Sequence, residues 1–583
     1  MIAGLGFLAL VIGLRYLVLP HIDEYREPIA EAMTRAVGQR VTIGSISGSW
    51  RGYRPEMSFM DVKVLDAQGQ PALALDRVAS VLSWQSVLAA AWRFDSLVVD
   101  GPSLEVRRDT HGVMWIAGIA MKPREGGAGF GDWVLAQRQV LIRDATIVWL
   151  DEMRAAPALK LDKVNFRLDR DGDIHRFGLT AVPPAQVAAP LVARGEFVGD
   201  DMRALRAWNG KLYAGIDDAN FALAQTWIPA PFELTSGFGS IRLWLDLEGT
   251  SVGAATADVR LVNVKTRLAT DLPELTLSAI QGRLGWVHRG DRTEFSGASL
   301  GFSVVDGPQL PPMRFTYAHN TPPGGVHRSV LRLSDFDLAS AAYLANYLPL
   351  DPALRARLDQ TAPAGTVQNA VVSWDGAWGT GPYALKGQVS QLSVRPYGAL
   401  PGFHGASAQV DANERGGTIS LTVTKGGFDL PNVFAEPLPL DFLTANANWT
   451  LRQGVAEVTI KNASFTNEHL AGTASGSYSG ASEGRGRADF SGAFVRADAH
   501  QIWRYLPKTL PAAQAWLKRA LLAGEASDAR FRLKGPLKDF PFADDKNGIF
   551  EVKTRASGVT LDFANGWPPI RGIRGDVTIR GRR

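Results

Sequence analysis

The sequence predicts a mainly β protein. It reads as an elongated, curved antiparallel β-sheet groove built of repeated modules with short connecting helices, behind one N-terminal transmembrane helix. Three observations predict this. Apolar and polar residues alternate with period two in run after run, as in strands that bury one face. Glycine and proline, at 60 and 33 of 583 residues, punctuate those runs often enough for many strands. A helix–glycine–strand unit recurs three times at long spacing, which marks an array of like units rather than one compact domain.

The elements follow in chain order. Met1 to Leu14 carries no charge, and Arg15 precedes Tyr16-Leu17-Val18-Leu19-Pro20. A helix of this length spans about 28 Å at 1.5 Å per residue, enough for a bilayer core. Arg15 would snorkel at one interface, with Tyr16 in the aromatic belt. No A-x-A site precedes Pro20, so an uncleaved anchor over residues 1–20 is expected rather than a signal peptide. Helical pattern then covers Ile22 to Val37 and ends at Gly38. It returns at Trp84–Trp92, Leu338–Leu348, Ala353–Leu358 and Ala497–Leu522. Pro123 to Asp132 reads as a glycine-rich connection. Clear strand alternation marks Thr418–Thr424, Val455–Ile460, Arg530–Lys534, Phe550–Phe563 and Asp576–Arg580. Asp171-Gly172, Asp306-Gly307 and Arg415-Gly416-Gly417 are hairpin-type turns between runs.

The first repeat runs Trp227-Ile228-Pro229, Gly239, then Ser240 to Gly249. The second runs Tyr347-Leu348-Pro349, Gly365, then Thr366 to Gly376. The third runs Tyr505-Leu506-Pro507, Gly524, then Glu525 to Gly535. Each is a short helix, a glycine stop and a strand, and each period holds several strands. Alternation gives every sheet one apolar face, which something must cover. Helical residues are few, so an open apolar face would need a ligand, and acyl chains are the natural candidate.

Composition narrows the function classes. Hydrophobic residues make up 46% and charged residues 21%, a globular balance. The 62 basic and 58 acidic residues leave a net charge of +4 with no basic stripe, which argues against nucleic acid. Cysteine is absent, so disulfides, thiol nucleophiles and thiolate metal sites are excluded. The nine histidines, His21, His111, His175, His288, His319, His327, His404, His469 and His500, show no metal-ligand spacing. Asp169-Arg170-Asp171-Gly172-Asp173 has its glycine and its twelfth position wrong for a calcium loop and reads as a β-turn. Gly127-Ala128-Gly129-Phe130-Gly131 lacks the Lys-Ser/Thr of a phosphate loop. No nucleophile elbow occurs, and Asp217-Asp218 and Asp544-Asp545 lie in turn-like contexts. No catalytic residue, metal or cofactor is nominated, and the chain does not read as an enzyme. Of the 16 tryptophans, several, among them Trp50, Trp84, Trp92, Trp115, Trp149, Trp227, Trp244, Trp286, Trp374, Trp449 and Trp503, cap strands or helix joints. Core filling is the ordinary reading of each, and rim anchoring the functional one.

The stretch from Leu19 to Gly118 carries an ordered set of cues. They are the helix, Gly38-Gln39, Val41-Thr42-Ile43-Gly44, Trp50, Pro55, Asp61-Val62, the turn at Asp66-Ala67-Gln68-Gly69, Leu82-Ser83-Trp84, and Gly101-Pro102-Ser103-Leu104. This set resembles the N-terminal signature of the AsmA-like family, in its long YhdP-type branch. The resemblance is good over residues 1–180 and looser behind. It implies a relative of chorein-type bridge-like lipid carriers, anchored in the Gram-negative inner membrane with the bulk of the chain in the periplasm. It also implies movement of phospholipid along a hydrophobic groove toward the outer membrane, supporting its permeability barrier. The chain stops just after its third repeat begins, whereas members of this branch run much longer, so a fragment or a short relative is expected.

On that reading the chain divides into an anchor (1–20), a chorein-like cap (21–122), β modules at 123–235, 236–362 and 363–522, and the start of another at 523–583. The expected groove residues are inward-facing strand positions. They are Ile241, Leu243, Leu245 and Leu247, then Ile419, Leu421 and Val423, then Phe531 and Leu533, then Val577 and Ile579. Phospholipids, the inner membrane and outer-membrane or other envelope proteins are the expected partners. The alternative is a scaffold for outer-membrane proteins whose strands close on themselves and pair with a client at an edge.

Overall fold

Long period-two runs joined by tight turns give long antiparallel strands. The computed structural model describes residues 8, 10–37, 40–65, 69, 71–82, 84, 94–116, 119–120, 130–199, 207–228, 233–398, 400–481, 485–542 and 546–581. The expected Trp84–Trp92 helix lies, apart from Trp84, outside them. The chain forms two units. One comprises residues 1–268, 274–289 and 303–305, and the other residues 269–273, 290–302 and 306–583.

The first unit opens on helical turns at Leu14–Val18 and Leu19–Tyr25 and an α-helix at Arg26–Val37. Pro20 lacks an N–H, and the helix breaks beside it, with His21 at φ −110°, ψ 20°. Leu19, Ile22, Ile29 and Ala30 then pack on Ile46, Met57, Phe59 and Val78 of the first strands. Ile46 N donates to Asp23 Oδ1 at 2.7 Å and Arg26 Nη1 to the Gly44 carbonyl at 2.8 Å, so the kinked helix is pinned at its crossing. Among the described residues no helix is long and apolar enough to cross a membrane.

Strands Ser45–Arg51, Arg54–Leu65, Pro71–Leu82 and Phe94–Asp100 pair antiparallel in succession. Gln139–Asp151 then joins parallel to Phe94–Asp100 and to Ser103–Arg108. Of the connection expected over Pro123–Asp132, residues 123–129 lie outside the described residues, and Phe130 begins a short helix, Phe130–Ala136, rather than continuing a loop. Packing explains it: Trp133 meets Phe94 edge-on at 6.3 Å. Beside it the buried Gln137 accepts from Phe94 N at 2.8 Å and donates to the Trp133 carbonyl at 2.6 Å. From there Leu159–Asp171, Ile174–Val182, Leu191–Val198, Asn209–Asn220, Glu233–Glu248, Ser251–Arg267 and Leu275–Arg289 each pair antiparallel with the strand before.

The second unit repeats this plan. Its strands include Gln309–Asn320, Arg328–Ser334, Ala364–Asp375, Tyr383–Val394, Gly402–Asn413, Gly416–Asp429 and Leu438–Arg452. Val455–Thr466, Leu470–Ser479, Arg487–Asp498, Leu521–Pro536, Ile549–Leu561 and Ile570–Arg580 continue the antiparallel series. Among the described residues both units are thus mainly β and, the two parallel pairings apart, antiparallel, with few helices.

The three repeats share one local construction. A strand ends in Asn220, Asp337 or Asp498, whose side-chain oxygen accepts from Leu223 N, Ser340 N or His500 N at 2.8–3.1 Å and so caps a short helix. The helices are Phe221–Ala224, Leu338–Ala345 and Ala499–Tyr505. Second helices follow in two copies, at Pro352–Thr361 and Pro511–Ala520. The single helical run expected over Ala497–Leu522 is therefore two pieces. Pro507 and Pro511 interrupt the helical hydrogen bonds, and Leu521 and Leu522 already belong to the next strand. The returning strand carries Gly239, Gly365 or Gly524, at φ of +149°, +124° and +131°. A Cβ on Gly239 would lie 2.0 Å from the Arg260 carbonyl oxygen.

Polar residues with left-handed backbone interrupt many strands. Asp144, Lys163, Asp218, Asn369, Gln391 and Asp528 lie at φ of 48° to 55°. At each, the neighbouring inward positions are three apart instead of two: Ile142 and Ala145, Leu161 and Val164, Ile216 and Ala219, Val367 and Ala370, Val389 and Leu392, Ala526 and Ala529. These are β-bulges, which bend a strand and reset which residues point inward.

Two predictions follow from this architecture. Gly239→Ala must push its Cβ against the Arg260 carbonyl at a backbone conformation alanine avoids. A loss of about 1–3 kcal/mol is expected, visible as a lower denaturant midpoint by circular dichroism; an unchanged midpoint would refute the constraint. The second concerns Asp151, buried at the end of its strand, where Arg108 Nε donates to Oδ1 at 2.9 Å and Nη2 to Oδ2. The Arg108 hydrogen bonds hold its carboxyl below the usual aspartate range against the opposing effect of burial. A depressed carboxyl stabilises the fold above its unfolded pKa and ceases to as pH falls through its folded one. The melting-temperature gap between the parent chain and Asp151→Asn should therefore be widest near neutrality and shrink on acidification; a pH-independent gap would contradict it.

Candidate functional site

Residues paired across a ladder share a face, so the register lists each face directly. In the first unit Ile142, Phe166, Leu179, Ala193, Ala214, Leu243, Ala257 and Leu284 form one continuous row across eight strands. A second row beside it runs Val140, Leu168, Phe177, Gly195, Leu212, Leu245, Ala255 and Trp286. Neither contains a polar side chain other than the Trp286 indole. A depression of about 320 Å³ lies over the first row at Ile142, Phe166, Leu179 and Ala193. The opposite face carries Asp169, Arg176, Glu196, Lys211 and Asp246 in a row of alternating charge. Within it Arg176 Nε donates to Glu196 Oε2 at 2.7 Å.

The second unit shows the same division. Val389, Ala408, Leu421, Ala445, Ala463, Ala474, Gly492, Phe531, Val552 and Ile579 make a ten-strand apolar row. Val410, Ile419, Ala447, Ile460, Gly476, Phe490, Leu533 and Phe550 make the next. On the other face Gln388, Gln409, Ser420, Asn446 and Asn462 stand in line. Ser420 Oγ donates to Asn446 Oδ1 at 2.8 Å, and Asn446 Nδ2 to Asn462 Oδ1 at 3.2 Å.

The apolar rows are mostly half-buried rather than sealed. Their large rings lie flat over glycines of the next strand: a Cβ on Gly195 would meet Phe177 at 2.3 Å, and one on Gly492 would meet Phe531 at the same distance. Alanine and glycine elsewhere keep the face low and free of polar obstruction.

One margin of each face is closed. Beyond the bulges Ala145, Val164 and Ala181 are sealed, as are Val187, Ala188 and Ala219 under the first repeat helix with Phe221, Leu223 and Trp227. In the second unit Ala406, Val423 and Leu440 form the corresponding cluster.

The residues expected from the sequence divide accordingly. Ile241, Leu243, Leu245 and Leu247 lie half-buried on one face, alternating with exposed Arg242, Trp244, Asp246 and Glu248. Ile419, Leu421, Phe531 and Leu533 are half-buried in the second unit's rows. Val423 is 0% exposed and belongs to the sealed margin. Val577 and Ile579 are exposed on the last strand, where Ile579 continues a row and Val577 pairs with Thr554. Sequence reasoning missed the alanine- and glycine-rich members, such as Ala255, Ala445, Ala463 and Ala474. Their only signal is small residues recurring at every second position. Metal-binding clusters of histidine, aspartate and glutamate are absent among the described residues. Asp169 and Asp171 sit at the end of a hairpin strand, Asp169 bonded to Arg167 and Gln139.

Comparison with known proteins places the chain. No solved structure matches it. It is similar to the intermembrane phospholipid transporter YhdP of Escherichia coli strain K12, 21% identical over 583 residues, which cover 97% of this chain and 44% of that protein. The chain thus spans less than half the length of that relative. The family described as YhdP protein matches residues 1–583, and a match of that extent makes the chain a member of the YhdP family.

Proposed function

We propose that this chain is a section of a conduit that carries phospholipid between membranes, with acyl chains lying on the apolar face and head groups in water. The observation that carries this reading is the run of apolar rows, eight strands wide in one unit and ten in the other, half-buried and without a polar interruption. A lipid on such a surface is held by about 0.8 kcal/mol per buried methylene. Successive rows offer nearly the same environment, so displacement from one strand to the next costs little. Transport needs no catalytic group and no cofactor in this scheme. The relative's name as a phospholipid transporter supports the choice of cargo.

The finer features belong to the same proposal. Residues 1–20 anchor the chain in the inner membrane as a single pass, the helix kinked at His21 turns onto the sheet, and the strands lie in the periplasm. Lipid moves toward the outer membrane and supports its barrier, with envelope proteins as further partners.

The test is lipid retention. Native mass spectrometry of the chain lacking residues 1–20 should show several phospholipids per molecule. Leu243→Glu and Leu421→Glu each place a carboxylate among the acyl chains and should cut that load by roughly five-fold, since an unpaired charge is strongly disfavoured there. Thr422→Glu, on the exposed opposite face, should leave the load unchanged. A parent chain that purifies lipid-free, stable and monomeric would sink the conduit and favour the scaffold.

A further inference from the structure

The two margins of the second unit's apolar face differ. At one, helix Leu338–Ala345 packs on strand Ala364–Asp375, and Ala370 and Ala406 are buried. The other, at the hairpin tips, carries a contiguous set of polar-tipped rings. Tyr317 lies 6.4 Å from His319 and 6.0 Å from Trp374, His319 stacks on His327 at 5.7 Å, and Trp378 meets Trp374 edge-on at 5.0 Å. The register puts His319, Ser329, Trp374 and Tyr383 in one row, adjoining Tyr317, Leu331, Val372 and Leu385 of the apolar face. His319 Nδ1 and the buried Ser329 Oγ are hydrogen-bonded at 2.9 Å, which fixes the imidazole and leaves its Nε2 without a protein partner among the described residues. His327 is exposed, and Trp378 is 64% exposed. The nearby charges cancel, since Arg328 Nε and Nη2 grip Asp375 at 2.8 and 3.2 Å.

Rings with an apolar body and a polar tip suit a boundary between hydrocarbon and water. Ala370 on the sealed side and Trp374 at the rim are four residues apart, about 13 Å at 3.3 Å per residue. That is close to the hydrocarbon depth of one bilayer leaflet, about 15 Å. Chains lying from the sealed margin to the rim would bring the ester and phosphate level to these rings.

We propose that Tyr317, His319, His327, Trp374 and Trp378 form a head-group site, in which imidazole and indole N–H groups donate to the phosphodiester of a glycerophospholipid whose chains lie on the adjoining face. This rests on the conduit reading and adds to it an orientation: head groups emerge at the hairpin-tip margin, never at the helix margin. The first unit carries one stacked pair of this kind at its hairpin-tip margin, Trp286 with the exposed His288 at 6.1 Å, whereas His175 and Trp208, stacked at 5.7 Å, are buried.

Tryptophan quenching in the full chain tests this. The chain is loaded from vesicles of phosphatidylcholine bearing a nitroxide on the head group or bromines near the acyl-chain ends. The signal of Trp374 and Trp378 is the difference between the parent and the Trp374→Phe/Trp378→Phe variant. The head-group label should quench this pair at least about three-fold more than the bromines, and His319→Phe with His327→Phe, which keeps the rings, should lower that quenching by about three-fold, the ratio for losing one hydrogen bond. Bromine quenching of the remaining tryptophans should not change in the variant. Equal quenching of the pair by both labels, or no effect of the histidine substitutions, would overturn the site while lipid still binds. Relief of quenching by soluble glycerophosphocholine at equal concentration would overturn it in favour of a site for free phosphodiesters. Absence of quenching of any tryptophan would overturn the conduit itself.

Discussion

The structure depends on keeping strand register in phase with residue type. Side chains alternate faces with period two, so a slip of one residue would carry Leu243, Leu245 and Leu247 to the charged face and Arg242 and Asp246 to the apolar one. The alternating charges of Asp169, Arg176, Glu196, Lys211 and Asp246 and the Gln–Ser–Asn line of the second unit oppose such a slip. In the observed alignment Arg176 bonds Glu196, and Asn446 links Ser420 to Asn462. The polar face therefore specifies the apolar one.

Bulges let a sheet of such strands have both an open surface and a sealed edge. A strand in strict alternation would carry the same degree of exposure along its length. Inserting Asp218 in left-handed backbone between Ile216 and Ala219 bends the strand, and Ala219 is then fully buried beneath the helix that Asn220 caps. Asn369 and Asp528 do the same for Ala370 and Ala529. The repeat helices close that edge and the hairpin tips leave the other open, so the apolar surface has a direction across its strands as well as along them.

In the proposed conduit, function would follow from uniformity. The rows contain large rings laid over glycines, and alanines between larger aliphatic residues. In that conduit such a surface would hold hydrocarbon without selecting a position for it. Selectivity, where it exists, belongs at the rim, where hydrogen-bonding side chains reappear.

Alternation, composition and repeats were enough to establish the class of fold, the placement of Ile241 to Leu247 on one face and the positions of the three repeat glycines. These are local properties, set by the two-residue period of a strand and by the steric demand of a left-handed residue. The tertiary structure alone decided the rest. It placed Val423 in a sealed cluster although its alternation matches that of Leu421, because Ala406 and Leu440 of the two neighbouring strands close over it while Leu421 lies at the edge of that cluster. It recruited Ala255, Ala445 and Ala474, whose strands have too little contrast between faces to show their orientation. It gathered Tyr317, His327 and Trp374 from three separate segments into one rim, since only the register of paired strands brings such residues together.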